Sequence, residues 1–492
     1  MMKLKKFIAC TLACAMATAG FSGCGKKQTA AKDEDPNTCP EDSYEINWYL
    51  MAEPQSDVHS VEAALNDYLK DKINATVKIN CLSSAQYQQK MNTMINANEY
   101  FDLAFVARWM LDYVNNAKAG AFVALDDYLD TYLKDTTATY DEAPLKYSRV
   151  NGKLYALPVN KEMATQYGWI YRKDIADKYN IDMTKYKTFE DLEPVLKMIK
   201  EKEPDITYPI DWTSDTSPYA LNIWEGYVCK DGTYPDDKVM NRFETPEFKK
   251  ACETANDFYK KGYVRSDVLT ATDHQQRMKE GKTFVMLNPL KPGKAKELFK
   301  DSAYQFEQAE VTDAAIDYLA GTGSMQAISA TSKNPVRVAR FLNLLNTDPY
   351  VKNLVIHGIE GKHYKKIDDK TVQPIEKSGY DLYSSSWAIG NVFIDYLLPL
   401  EDHDKLVKLK EFGKNAKDSR VNGFLWDMSD DDEQRHSELD NVINKYIKQL
   451  AVGAVDPGKT IKEFNQKLND VGLKEDMKSY EKAYKEYLKT LK

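Results

Sequence analysis

Extended and helical segments alternate between residues 45 and 106, and this alternation constrains the fold more than any other feature of the sequence. Apolar extended runs cover residues 45–50, 75–82 and 101–106, and segments with helical periodicity, 61–72 and 86–96, lie between them. The pattern predicts an α/β layer with a largely parallel sheet, because parallel strands are joined by crossover helices. Ligands of such sheets bind at the carboxyl ends of the strands, so residues that follow these runs are candidate site positions.

Length, charge and motif content narrow the functional classes. With 492 residues the chain is long enough for two or three domains. Its formal net charge of −8 argues against a nucleic-acid partner, because nucleic acids bind basic surfaces. The sequence has no Gly-x-Ser-x-Gly, phosphate-loop or His-Glu-x-x-His motif, and its six histidines are not spaced as metal ligands. We therefore expect no catalytic residues, no metal and no other cofactor.

The N-terminus has the pattern of an export signal. Three lysines precede an apolar stretch at 7–19, which is shorter than the roughly 20 apolar residues that span a membrane. The run FSGC at 21–24 resembles a bacterial lipobox, in which the chain is cut before the cysteine and the thiol receives lipid. The resemblance implies a signal peptide at 1–23 and lipidation of Cys24, with plain secretion as the alternative. The polar composition of 24–43 predicts a flexible tether.

Several short motifs occur in a characteristic order along the rest of the chain. They are FDLAF at 101–105, GKLYALP at 152–158, TGSMQAIS at 322–329, GIEGKHY at 358–364, VGAVDP at 452–457 and FNQKL at 464–468. In this order they resemble the extracellular solute-binding proteins that serve sugar ABC importers. The last three are similar to a subgroup of large lipoproteins that carry a C-terminal domain of unknown function.

The resemblance implies a two-lobed α/β fold of the periplasmic-binding-protein type II class, with hinge crossings and additional C-terminal helices. The hinge crossings are expected at 155–161 and near 304–312. The implied divisions are lobe 1 at 44–157 and 313–380, lobe 2 at 158–312 and 381–426, and a C-terminal helical region at 427–492.

The same resemblance implies the function. We expect a monomeric, non-enzymatic lipoprotein on the outer face of the cell membrane of a Gram-positive bacterium. It would capture an oligosaccharide in the cleft between its lobes and deliver it to the transmembrane subunits of an ABC permease. Two alternatives remain open: a binding protein for a peptide or another organic solute, and a surface-anchored glycoside hydrolase, which would need a pair of carboxylates at the scissile bond.

A sugar site combines aromatic rings, which stack on the apolar faces of pyranoses, with carboxylates or amides that bind hydroxyls. Trp109 and Glu53 follow the third and first predicted strands, and Trp387 stands among serines rather than on an apolar face. Glu162 follows the predicted hinge and resembles a carboxylate that binds sugar hydroxyls in related proteins. Asn160 could serve the same role.

A second group of candidates lies in the predicted second lobe. Asp211 and Trp212 end a predicted strand at 208–212, and Tyr219 follows on the next loop. The predicted ligand-binding set is therefore Glu53, Trp109, Glu162, Asp211, Trp212, Tyr219 and Trp387. The other tryptophans that we interpret as structural are Trp48, Trp169 and Trp426, and Trp224 fits either role. Cys229 and Cys252 are either a disulfide or buried thiols.

Overall fold

The computed structural model describes residues 34–300, 302–317 and 319–491. The predicted signal peptide and Cys24 lie outside the described residues. The strands are β1 (Tyr44–Met51), β2 (Ala75–Leu82), β3 (Leu103–Val106), β4 (Arg149–Val150), β5 (Lys153–Leu154), β6 (Leu157–Pro158), β7 (Ala164–Arg172), β8 (Trp224–Glu225), β9 (Val228–Cys229), β10 (Val285–Leu290), β11 (Phe306–Glu310), β12 (Ala315–Ile316), β13 (Met325–Ile328), β14 (Tyr364–Lys366) and β15 (Val372–Pro374).

The α-helices are α1 (Val58–Ile73), α2 (Ser84–Asn96), α3 (Tyr113–Lys118), α4 (Asp126–Leu129), α5 (Lys134–Thr137), α6 (Glu142–Tyr147), α7 (Lys173–Lys178), α8 (Phe189–Lys202), α9 (Pro246–Lys260), α10 (His274–Lys279), α11 (Lys294–Leu298), α12 (Pro335–Thr347), α13 (Pro349–His357), α14 (Lys405–Lys414), α15 (Asp430–Ala451), α16 (Pro457–Asp470) and α17 (Leu473–Thr490).

The first lobe is built on a five-stranded sheet of order β2-β1-β3-β13-β6. β1 is parallel to both β2 and β3, as the alternation of the sequence predicts, whereas β13 is antiparallel to its neighbours. Trp48 is fully buried in the core beneath the sheet, as predicted, and packs edge-on against Phe341 of α12. The carboxyl ends of β1 and β3 therefore meet at one edge of this sheet.

The second lobe is built around β7, which pairs antiparallel with β10, β11 and β12. Thr188 caps α8 through the capping box with Asp191 that the sequence indicates, and Trp169 is fully buried, as predicted. The predicted strand at 208–212 is wrong, because only Ile210 forms a bridge, to Val285.

The chain crosses between the lobes at residues 159–163, between β6 and β7, and again between β12 and β13. The first crossing overlaps the predicted segment 155–161. The second was expected near 304–312, and this is wrong, because Phe306–Glu310 is β11 and pairs with β7 inside the second lobe. A third crossing precedes α14, where Asp402 bonds to Lys296 of the second lobe.

Two predicted boundaries also change. Residues 381–398 were assigned to the second lobe, but Leu382, Ala388 and Ile389 are buried in the core of the first. The C-terminal helices are not a separate region, because Phe464 and Tyr484 share a core with Phe243 and Phe248 of the second lobe. They therefore complete the second lobe on the side of α9.

The predicted tether is docked from Glu34 onward. The side chain of Glu34 is 8% exposed and pairs with Arg337 at 2.8 Å and with Arg340 at 3.3 Å. Because Arg337 is fully buried, its charge requires a partner, and Glu34 supplies it. Within residues 34–300, 302–317 and 319–491, no helix has the length and apolar character needed to cross a membrane. Cys229 and Cys252 are buried free thiols, the second of the two alternatives.

Candidate functional site

A groove between the lobes contains two cavities of about 450 and 920 Å³. Residues of the first lobe, the crossings and the second lobe all contribute to its walls. The two cavities share the lining residues Glu162, Lys291, Lys294, Glu297 and Trp387, so we treat them as one space, the interlobe groove. Its position beside the ends of β1 and β3 follows the rule for sheets with parallel strands.

Trp387 lines both cavities, and Trp109, which lines neither, packs beside it, so that the two rings form an aromatic surface at the edge of the groove. The Trp109 side chain is 45% exposed, and its Nε1 donates to the carbonyl of Gly323 at 2.8 Å. The ring centroids of Trp109 and Trp387 lie 6.1 Å apart with an interplanar angle of 32°, and Phe105 supports both rings from the core side. The structure thus brings together the two tryptophans that the sequence predicts, at a place where a sugar ring could stack.

Glu162 lines both cavities and belongs to a chain of charges. Its Oε1 lies 3.1 Å from Lys291 Nζ, and Lys291 in turn lies 3.3 Å from Glu297 Oε2. Burial alone would raise the pKa of Glu162, but the charges of Lys291 and Lys161 outweigh it and lower the pKa below its ordinary value. Burial likewise opposes ionisation of Glu297, yet Lys291, Lys294 and Lys405 lower its pKa to about 2. Both glutamates are therefore carboxylate acceptors at neutral pH.

One oxygen of Glu162 is left without a partner. Its Oε2 is buried and accepts no hydrogen bond from any of the described residues. An unsatisfied buried acceptor costs about 1–3 kcal/mol. A hydroxyl donated by a bound ligand would satisfy it, which supports the prediction that Glu162 contacts the ligand.

Asp211 and Trp212 were predicted to contact the ligand, and the structure contradicts this. Trp212 is fully buried and stacks on Phe258, with centroids 6.0 Å apart. Asp211 is 2% exposed and lies 3.0 Å from Nδ1 of His274. The segment runs behind β10, where the Asp211 amide bonds to Val285, instead of ending at the groove. These side chains hold the core of the second lobe together.

Tyr219 and Glu53 also lie away from the walls of the two cavities. Tyr219 is half-buried and packs edge-on against Phe248, at 5.8 Å, under the C-terminal helices. Glu53 is exposed, and its carbonyl accepts a hydrogen bond from Gln55, which does line the larger cavity. Asn160 is buried and donates to Thr139, so it has a structural role.

The basic residues of the groove were not among the predicted site residues. Lys291 directly follows β10, and Lys294 begins α11 one turn later. The signal was present, because Asn288 and Pro289 mark the end of an apolar run and both line the smaller cavity. Within the described part of the chain, no group of three or more histidine, cysteine or acidic side chains could hold a metal ion.

Comparison with known proteins identifies relatives along nearly the whole chain. Residues 55–352, more than half of the chain, match the family model described as bacterial extracellular solute-binding protein, and residues 421–489 match the domain of unknown function DUF3502. A carbohydrate ABC transporter substrate-binding protein of Streptococcus pneumoniae is 29% identical over 497 residues, which cover 99% of each chain.

Solved structures give the same picture. The N-glycan transport solute-binding protein NgtS of Streptococcus pneumoniae superposes with a TM-score of 0.82 at 27% identity, over 92% of this chain and 100% of that one. Its complexes with Man1GlcNAc and Man5GlcNAc superpose with TM-scores of 0.74 and 0.71. The type II two-lobed fold predicted from the sequence is therefore confirmed.

Proposed function

The chain belongs to the family of bacterial extracellular solute-binding proteins, and from this premise we propose that it captures an oligosaccharide for an ABC importer. The relatives described above are solute-binding proteins and not enzymes. In this role the chain binds its ligand in the interlobe groove, closes over it and releases it unchanged to the permease.

The observation that carries this proposal is the pairing of an aromatic surface with free hydrogen-bonding capacity. Trp387 lines the groove with Trp109 packed beside it, and Glu162 offers a buried oxygen that lacks a donor among the described residues. Stacking recognises the apolar face of a sugar ring, while a carboxylate recognises its hydroxyls. Neither an apolar solute nor a small inorganic ion would use both.

The crossings supply the movement that capture requires. Few residues need to change conformation in a hinge. Residues 159–163 connect β6, the edge strand of the first lobe's sheet, directly to β7, the central strand of the second lobe. The NgtS complexes superpose less well on this chain than NgtS described without a ligand, at 0.74 and 0.71 against 0.82.

A thermal-shift panel followed by calorimetry tests the proposal. We expect Man5GlcNAc or Man1GlcNAc to raise the melting temperature, because a ligand that binds the native state stabilises it by mass action. Maltopentaose and a mixed peptide library serve as controls for other linkages and for other solutes. A shift with peptides alone would contradict the proposal, and so would release of new reducing ends from the bound sugar.

We also propose that Cys24 carries the lipid that holds the protein at the cell surface. Replacing Cys24 with alanine should move the protein from the membrane fraction to the culture medium, because a tether without lipid has no anchor. Cys39→Ala is the matched control, since Cys39 is an exposed free thiol outside the signal motif. Retention of the Cys24 variant in the membrane fraction would refute the anchor.

A further inference from the structure

The hairpin of β8 and β9 lies between the first lobe and the C-terminal helices. Tyr227 donates its hydroxyl to Asp476 Oδ2 at 2.7 Å, and Tyr480 of α17 donates to the carbonyl of Glu225 at 3.2 Å. Gly226 at the turn has a φ of +55°, and a Cβ there would lie 2.7 Å from the ring of Tyr480. The hairpin is therefore seated tightly on the domain whose function is unknown.

The side chain of Glu225 reaches from this hairpin to the first lobe. Its Oε1 lies 3.4 Å from Nη1 of Arg108, the residue directly before Trp109. The Arg108 amide donates to the carbonyl of Thr322 at 2.9 Å, in the second crossing, next to the Gly323 carbonyl that holds the Trp109 ring. The Arg108–Glu225 pair thus stands beside the aromatic surface of the groove.

A second contact fixes the C-terminal part against the first lobe. Lys118 at the end of α3 forms an ion pair with Asp427, which precedes α15. The hairpin and the chain before α15 both meet the first lobe on the side of Arg108. The hairpin and the segment before α15 therefore reach the first lobe close to Trp109.

The Arg108–Glu225 pair is poorly satisfied. A strong hydrogen bond between a guanidinium and a carboxylate is about 2.7–2.9 Å long and often bidentate; here one contact of 3.4 Å joins the two side chains. Among the described residues, each of these two charged groups has the other as its one hydrogen-bonding partner, although a guanidinium offers five donors. The side chains are 30% and 13% exposed, so the pair is only partly covered by the surrounding protein.

We propose that Arg108 and Glu225 are ligand-binding residues, and that both hydrogen-bond to hydroxyls of the sugar ring that stacks on Trp109. The domain of unknown function would then take part in binding, since it positions the hairpin that carries Glu225. This inference rests on the oligosaccharide-binding function proposed above and extends it to the C-terminal helices. Burial of Glu225 raises the pKa of its carboxyl, against the charges of Arg108 and Lys230.

Calorimetry with Man5GlcNAc tests the inference on the full mature chain. Glu225→Gln and Arg108→Gln should each weaken binding about tenfold or more, because each removes a charge-assisted hydrogen bond to the ligand. Glu225→Asp keeps the charge but withdraws it by one methylene, and should also weaken binding. Glu481→Gln is the matched control, since the Glu481 side chain of α17 is 44% exposed and pairs with Lys485 at 2.6 Å; it should bind as the unaltered chain does.

The double variant distinguishes ligand contact from a merely structural pair. If both residues contact the sugar, Arg108→Gln/Glu225→Gln should bind more weakly than either single variant, although the two losses need not multiply, because the two side chains also contact each other. A double variant no weaker than either single variant would mean that the residues only hold each other, and would overturn the inference. If the unaltered chain binds the sugar and the single variants bind it equally well, this inference is overturned but the proposed function is not. An unaltered chain that binds no sugar of the panel would overturn the proposed function and this inference together.

Discussion

The tryptophans of the interlobe groove and those of the second lobe's core occupy similar positions in the sequence but opposite environments in the structure. Trp109 and Trp212 each follow a short apolar run, and an ionisable residue precedes each of them. Trp109 lies beyond the last residues of β3 and is 45% exposed, whereas Trp212 is fully buried. The difference indicates that a tryptophan after an apolar run is exposed where that run is a strand that ends at the edge of a sheet.

The neighbours of each ring explain the outcome. Trp212 packs on Phe258 of α9 and on Phe189 of α8, two helices that cover the second lobe's sheet. Trp109 has Phe105 behind it and Trp387 beside it, and its indole nitrogen is held by a crossing segment. Helices cover Trp212, whereas Trp109 keeps an exposed face beside Trp387.

The largest effect should come from the buried ring. Trp212→Ala should lower the free energy of unfolding by about 3–5 kcal/mol, because it leaves a large cavity in the core. Chemical denaturation measures this loss. Trp212→Phe is the control that keeps most of the apolar volume, and should recover most of the stability. A Trp212→Ala variant of normal stability but impaired sugar binding would reverse our assignment of the two groups.

The groove rings should show the opposite pattern. Trp109→Ala and Trp387→Ala should each weaken binding of the panel sugar by on the order of 1 kcal/mol or more through lost stacking. Their free energies of unfolding should fall much less than that of Trp212→Ala, because neither ring is fully buried. Calorimetry and denaturation of the same preparations provide both values. If both variants bind the sugar as tightly as the unaltered chain does, these rings are not part of the site.

The smallest expected effect is on the pH dependence of the free energy of unfolding, and it involves His274 beside Asp211. His274 has Asp211 Oδ1 3.0 Å from one ring nitrogen and the carbonyl of Ala271 3.0 Å from the other. The hydrogen bond to Asp211 raises the pKa of His274 above its ordinary value of 6.5, although burial and the charge of Arg265 oppose the shift. Both neighbours are acceptors, so the protonated ring fits the site best.

A pKa raised by folding means that protonated His274 stabilises the native state. This stabilisation is fully present below the ordinary pKa and is lost as the pH rises through the folded value. The destabilisation caused by His274→Gln should therefore be larger at about pH 5.5 than at about pH 9. His59→Gln is the control, because that side chain is 88% exposed. A destabilisation by His274→Gln that is independent of pH would show that the ring acts only by packing.

Much of the secondary structure could be predicted from the sequence, because its signals are local. The helical periodicity of α1 and the apolar run of β2 are set by residues within one element, and the capping box of Thr188 involves residues three positions apart. Trp109 and Trp387 were predicted from their local surroundings as well. Their contact joins residues that are far apart in the chain, so it is a product of tertiary packing.

The errors concern features that depend on distant partners. Glu34 is charged and lies in a polar run, and only the buried Arg337, far along the chain, makes it part of the fold. Nothing in the local sequence of residues 306–310 distinguishes a crossing from a strand inside a lobe. Only their pairing with β7 shows that they form a strand of the second lobe. Lys291 was missed for the same reason, since its partner Glu162 lies across the hinge.

A crystal structure of the protein with Man5GlcNAc tests the central claim most directly. Our account predicts one sugar ring stacked on Trp109 or Trp387, a hydroxyl within hydrogen-bonding distance of Glu162 Oε2, and lobes closer together than without ligand. A sugar bound outside the interlobe groove, or inside it without contact to either tryptophan, would contradict the account.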